Sequence, residues 1–117
     1  MSDLPNVNFS DEYTVSAIKT RIIHQLLNII ILIEMTKREW ISGYDIIELV
    51  NSKFQEPLSP GTVYSTLYAI ERKGLIQGKT DGRKTLYQLT EKGENVIEIL
   101  KNSEKVLTEI CQKIYEP

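Results

Sequence analysis

The chain has 117 residues, 41% of them hydrophobic, with 14 basic and 16 acidic side chains, one histidine and one cysteine. That is enough apolar material for one core and hardly two, so a single soluble domain is expected, and the longest apolar run, Ile29 to Ile33, is far too short to cross a bilayer. Cys111 stands alone, which excludes an internal disulfide and a cysteine zinc site; a small buried apolar role is expected for it, and no metal or cofactor is implied.

Residues 1–9 carry Asp3 and Pro5 without a basic start or an apolar stretch, so they read as a disordered tail and not as a secretory signal, and a cytoplasmic location follows. Ser10 is a good N-cap, with Asp11 and Glu12 set against the helix dipole. Val15, Ile18, Ile22, Leu26, Ile29 and Ile33 then recur at helical spacing and predict one long first helix. Ile23, Leu27, Ile30 and Leu32 widen its apolar stripe, so the helix is expected to meet both its own core and a second subunit. A buried strand over Ile29–Ile33 is the alternative, set against a helical pattern that enters the run from both ends. His24 lies in this apolar stretch and reads as a packed or interface residue, with titration between subunits as its other reading. No Cys/His or paired-carboxylate group stands near it, so no enzyme is indicated.

Lys37-Arg38-Glu39 breaks the pattern, and Trp40-Ile41-Ser42 reads as a short strand with Trp40 as a core plug. From Gly43 to about Phe54, Ile46, Ile47, Leu49 and Val50 form a helical face that Gln55-Glu56-Pro57-Leu58 ends. Ser59-Pro60 then pairs an N-cap with proline at the first helical position, where the missing amide hydrogen costs nothing. The helix that follows places Val63, Leu67 and Ile70 inward. Gly61, Thr62, Ser65, Tyr68, Ala69 and Arg72 face outward, with Tyr64 and Thr66 at the borders. Small residues let the backbone approach phosphate, and hydroxyls donate to phosphate or base edges, so Ser59, Pro60, Gly61, Thr62, Tyr64, Ser65, Tyr68 and Arg72 are candidate DNA contacts. The plainer reading leaves the hydroxyls solvated and packs Tyr64 and Tyr68 on a neighbouring helix.

Gly74 suits a C-cap, and Leu75–Gln77 and Thr85–Leu89 read as strands joined by a loop over residues 78–84. Lys79, Arg83 and Lys84 make its tip basic, as a wing that touches the sugar-phosphate backbone requires; a merely solvated hairpin is the alternative. Thr90 caps a last helix running to about Tyr115. Along it Val96, Leu100, Ser103, Leu107, Ile110 and Ile114 alternate in steps of four and three, a coiled-coil-like seam. The seam extends past what one small core needs. A homodimer joined by Ile22, Leu26, Ile29, Val96, Leu100, Leu107, Ile110 and Ile114 is therefore expected, with packing on the chain's own first helix as the runner-up.

Net charge is −2, yet Lys53 to Lys84 holds six bases against three acids, so positive charge is concentrated around these two elements. Gly43-Tyr44-Asp45-Ile46, Ser59-Pro60-Gly61-Thr62-Val63-Tyr64 with Leu67, Glu71-Arg72-Lys73-Gly74-Leu75-Ile76 and Tyr87-Gln88-Leu89-Thr90-Glu91-Lys92-Gly93 together resemble the PadR-like winged-helix transcriptional regulators, in the short form with one C-terminal helix. The likeness runs roughly from Ile22 to Leu107. It implies a dimeric repressor whose helix from Pro60 to Lys73 enters the major groove while the Lys79–Lys84 wing touches the backbone. Three departures stand out: Ser65–Ile70 is less basic than the family's usual recognition helix, the link Glu34–Ile41 is longer, and an N-terminal extension runs through Thr20. Some relatives bind flat hydrophobic compounds between subunits, but no residue set here marks such an effector pocket.

The expected architecture is mainly α with a small β-hairpin, a winged helix-turn-helix with long N- and C-terminal helices. Residues 1–9 form the tail, 10–90 the winged-helix domain with its N-terminal helix, and 91–117 the dimerisation helix. The expected function is sequence-specific double-stranded DNA binding by a homodimer on a pseudo-palindrome with half-sites about one helical turn apart. The alternative is a winged-helix module that docks on another protein and reads no DNA.

Overall fold

The order of elements follows the local signals closely in the middle of the chain and departs from them at both ends. The computed structural model describes residues 11–117; the tail and the Ser10 cap lie outside the described residues. The expected single first helix is two helices, α1 (Asp11–Gln25) and α2 (Leu27–Glu34), inclined by 64° at Leu26. Backbone bonding passes through the bend: the Leu26 amide donates to Ile22 and the Ile30 amide to Leu26, both at 3.0 Å. Beyond the bend Leu27, Ile31 and Leu32 enter the same core as Ile23 of α1. The β-branched run is thus helical.

A 3₁₀ turn at Met35–Lys37 leads to β1 (Ile41–Ser42), α3 (Gly43–Phe54), α4 (Pro60–Arg72), β2 (Ile76–Asp81) and β3 (Lys84–Leu89). The strands form an antiparallel sheet in the order β1-β3-β2. The hairpin is longer than the sequence indicates, because Gly78 pairs with Tyr87 and Asp81 with Lys84, leaving Gly82-Arg83 as the turn. Gly82, at φ 67°, occupies the first turn position, where a tight hairpin demands positive φ. Glycine suits position 78 because Tyr87 and Thr85 cover the space a side chain there would need.

The last helix is also divided, into α5 (Glu91–Asn102) and α6 (Glu104–Ile114). At Ser103 the hydroxyl donates to the Leu100 carbonyl at 2.7 Å and the amide bonds the same oxygen at 3.1 Å, tightening the turn that separates them. α5 buries Gly93 and Ile97 in the common core, whereas α6 buries no residue. The radius of gyration, 16.1 Å, exceeds the about 13 Å of a compact chain of this length.

One core unites Leu27, Ile31 and Leu32 of α2 with Ile41, Ile46, Val50, Val63, Leu67, Ile70, Ile76, Tyr87 and Ile97. Each such aliphatic side chain contributes about 1.5–3 kcal/mol by leaving water. Three single residues are placed by their neighbours, and two of them, Cys111 and Trp40, differ from expectation. Cys111 is exposed, since α6 has nothing within the chain to bury against. His24 is exposed because Ile23 and Leu27 take the inward positions on either side. Trp40 is half-buried at the surface, the core place being filled by Ile41. No single helix among the described residues is long and apolar enough to span a membrane; α1 and α2 pass that test only as a bent pair, and α2 is committed to the core.

Candidate nucleic-acid interface

The N-terminus of α4 is built by its cap. The Ser59 Oγ accepts from the Thr62 amide at 3.2 Å and lies 2.8 Å from the Thr62 hydroxyl, while Thr66 turns its hydroxyl back to the Thr62 carbonyl at 2.9 Å. Val63, Leu67 and Ile70 are buried, as their spacing indicates. Gly61, Ser65 and Arg72 are exposed, Thr62 is half-buried, and Tyr68 is 50% exposed. A side chain added at Gly61 would meet nothing within 4 Å, so the first turn of α4 is open to a close approach. Tyr64 belongs partly to the structure: its ring lies over Gly43, where any Cβ would collide with it, and its centroid is 6.4 Å from that of Tyr68. The packing alternative therefore holds for Tyr64 and not for the more exposed Tyr68.

A second cap aligns α3 beside this face. Ser42 accepts from the Asp45 amide and the Asp45 carboxylate accepts from the Ser42 amide, both at 3.1 Å, a reciprocal capping box. The Ser42 amide, with Arg38 at 3.6 Å and the charge of Lys84, holds the Asp45 carboxyl below its ordinary value against the opposing effect of burial. Tyr44, 64% exposed, stands at the mouth of this helix. The sequence motif Gly43-Tyr44-Asp45-Ile46 includes Tyr44 without a role, and the box itself is a feature that sequence reasoning missed, although a serine three residues ahead of an acid is its signal.

The wing is tied to α4 at its base. The Glu71 carboxylate accepts from the Gly78 amide at 3.0 Å, and burial, with Glu71, Tyr68 and Tyr64 as neighbours, raises the Tyr87 phenol above its usual range. At the tip Arg83 and Lys84 are exposed. Lys79 differs: its ammonium sits 4.4 Å above the Trp40 ring, a cation–π contact that joins β2 to the residue before β1. Of the three basic wing residues, then, Arg83 stands at the turn, Lys84 is exposed beside the field of Asp45, and Lys79 is held on Trp40.

Behind the interface, the end of α4 is fastened to the start of α5. Gly74, at φ 77°, turns the chain; Thr90 donates its hydroxyl to the Gly74 carbonyl at 2.6 Å and its amide to that of Leu75 at 3.1 Å. Lys92 reaches the Lys73 carbonyl at 2.8 Å, and Gly93 presses directly on the Leu75 carbonyl. On the far side of the core, Glu34 is buried between Lys53 at 2.9 Å and Lys37 at 3.1 Å. Burial pushes its carboxyl up, but the two lysines more than offset this and the net shift is downward.

The family model of the transcriptional regulator PadR-like family matches residues 31–99, more than half of the chain. The chain belongs to the PadR-like family. The matched region starts within α2 and ends within α5, so it contains α3, α4, the wing and the fastening at Gly74 and Gly93. Solved structures share the PadR-like fold. A PadR family transcription regulator from hypervirulent Clostridium difficile has a TM-score of 0.66 at 23% identity, over 78% of this chain and 99% of that one. One from Eggerthella lenta has a TM-score of 0.71 at 20% identity, over 93% and 98%. A transcriptional regulator from Clostridium thermocellum has 0.71 at 20%, over 83% and 97%. Among curated proteins, none matches this chain in sequence.

For the PadR-like chain, the resemblance noted in the sequence is thereby established, and much of the motif proves architectural. Glu71, Gly74, Thr90, Lys92 and Gly93 bind parts of the fold to one another and leave the outward residues of α4 to face solvent. Among the described residues, no group of three His, Cys, Asp or Glu side chains is arranged to hold a metal.

The expected dimer residues sort by position. Ile22 is 50% exposed, Leu26, Ile29, Val96 and Leu100 are half-buried, and Leu107, Ile110 and Ile114 are exposed along α6. Val106 is exposed beside them.

Proposed function

We propose that this PadR-like regulator binds double-stranded DNA as a two-fold homodimer, on a pseudo-palindromic operator, and represses transcription in the cytoplasm. The observation that carries the reading is the exposed outer face of α4, with an unobstructed Gly61 at its capped start and Arg83 and Lys84 at the tip of an adjoining wing. Ser59, Pro60, Gly61, Thr62, Ser65, Tyr68 and Arg72 would supply the groove contacts and the wing the backbone contacts, with Tyr64 and Lys79 chiefly positioning their neighbours. Residues 10–90 with α5 would form the reading unit. The apolar row on α6, together with Ile22, Leu26 and Ile29, supports pairing of subunits, because a helix that buries nothing in its own chain otherwise presents Leu107, Ile110 and Ile114 to water.

Duplicating the surface also answers its low charge. One α4 face carries Arg72 alone among charged outward residues, too little to hold a duplex, whereas two faces and two wings can neutralise roughly six to eight phosphates. Fluorescence anisotropy on a duplex from the gene's own upstream region, titrated across salt, should then give a log–log slope of about −5 to −7. A slope near zero would remove the DNA reading.

A further inference from the structure

Beside α4 lies a cleft of about 250 Å³ between its flank and the corner where α1 bends into α2. Its polar lining comes from His24, Gln25 and Asn28 on one wall and Ser65, Thr66 and Lys73 on the other, over an apolar floor that includes Leu27 and Ile70. No carboxylate lines it, in a chain that carries more acidic than basic residues. The hydrogen bonds already made show what remains on offer. The Asn28 Oδ1 accepts from the Ile29 amide at 2.9 Å, which leaves its amide NH₂ to donate. Thr66 is spent on the Thr62 carbonyl, but the Ser65 hydroxyl, the His24 imidazole and the Lys73 ammonium are exposed, and Lys73 makes no ion pair among the described residues.

A concave surface rich in free donors, with a cation and no competing acid, is complementary to an oxyanion. The volume lies below the about 300–1,000 Å³ of sites for drug-sized ligands, so the occupant is small. We propose that this cleft binds a phosphate group, carried either by a small phosphorylated metabolite or by a DNA backbone lying along α4. Lys73 supplies the charge, and His24, Asn28 and Ser65 supply directed donors. Because Ser65 belongs both to this wall and to the outward face of α4, occupancy is felt directly at the reading surface.

His24 is the only histidine, so its imidazole proton resonances report on the cleft without ambiguity. With the full chain at fixed pH and ionic strength, inorganic phosphate is substituted for chloride. A saturating shift of the His24 signals is expected, weakened about ten-fold in Lys73→Gln and unchanged in the control Lys101→Gln. Both lysines are exposed, so neither change threatens the fold. No saturating shift, or equal response in the two variants, overturns the proposal. A second arm identifies the source: a phosphate shift that persists with operator duplex bound indicates a metabolite, whereas a shift produced by the duplex itself and lost in Lys73→Gln indicates the DNA backbone. Only this arm rests on the DNA reading, and duplex binding is followed separately by anisotropy. A phosphate response without duplex binding would leave the cleft standing and remove that reading.

Discussion

Gly93→Ala tests whether the fastening between α4 and α5 is a true contact. Glycine within a helix costs about 1 kcal/mol relative to alanine, so on propensity alone the substitution in α5 should stabilise the protein. The structure reverses the sign. A Cβ at position 93 would enter the space of the Leu75 carbonyl, and that oxygen is held by the Thr90 amide at 3.1 Å, with the Thr90 hydroxyl on Gly74 at 2.6 Å. Relief requires moving α5 away from β2, which strains a filled core by about 1–3 kcal/mol and loosens a cap worth about 1 kcal/mol. Against the propensity gain, the net expectation is a loss of about 2 kcal/mol, or a fall of about 1 M in the urea midpoint. Urea denaturation followed by far-UV circular dichroism measures it, at one fixed protein concentration because subunit pairing would shift the midpoint. Gly61→Ala is the internal control: with nothing within 4 Å of the added methyl, it should be neutral or stabilising by up to about 1 kcal/mol. If Gly93→Ala matches or exceeds the stability of the parent, the contact is not what fixes glycine there.

Reversing both charges in Arg83→Glu/Lys84→Glu should cost at least ten-fold in duplex affinity, while Lys79→Ala should cost less and alter the emission of Trp40, the sole tryptophan, from which it removes a cation 4.4 Å away; indifference of duplex binding to the double reversal would favour docking on a protein partner. Deleting residues 104–117 should yield a monomer by sedimentation with the core intact, since α6 buries nothing within the chain; a truncated chain that still pairs would place the interface elsewhere. Glu34 and Asp45 both have folded-state values below their ordinary ones, so their stabilisation is present above about pH 5 and is lost as pH falls through the depressed values. Glu34→Gln should therefore be less stable at pH 7 and lose part of the parent's decline between pH 5 and 3, as read by thermal melts. An unchanged acid profile would mean that Lys37 and Lys53 do not act on this carboxylate.

The middle of the fold was legible because its signals are local. Ser59-Pro60 announces a helix through one cap and one fixed φ, and the buried trio Val63, Leu67 and Ile70 follows from angular spacing alone. The ends were less so. Helical periodicity runs through Leu26 and Ser103 without interruption, and the bends there answer to where the core lies, which no local pattern records. The wing is longer than its residues indicate for a related reason: Gly78, Lys79 and Asp81 are weak strand formers recruited by pairing with Tyr87, Leu86 and Lys84. At the candidate site, exposure of Tyr68 and Arg72 was readable from the helix face. The seating of Tyr64 on Gly43 and of Lys79 on Trp40 joins residues far apart in the chain and was not. Cys111 reads as core material because an apolar row carries no mark of whether its own chain supplies a surface to cover it.

The step at Ser103 gives the molecule a lever, with α5 as one arm and α6 as the other. The fastening at Gly74 and Gly93 makes the end of α4 rigid with α5, so in a dimer joined through α6 the angle at Ser103 dictates how far apart, and how rotated, the two α4 helices stand. Inserting a single residue there would swing one arm about 100° around the helix axis relative to the other. Operator spacing would then depend on a serine hydroxyl that belongs neither to α4 nor to the wing.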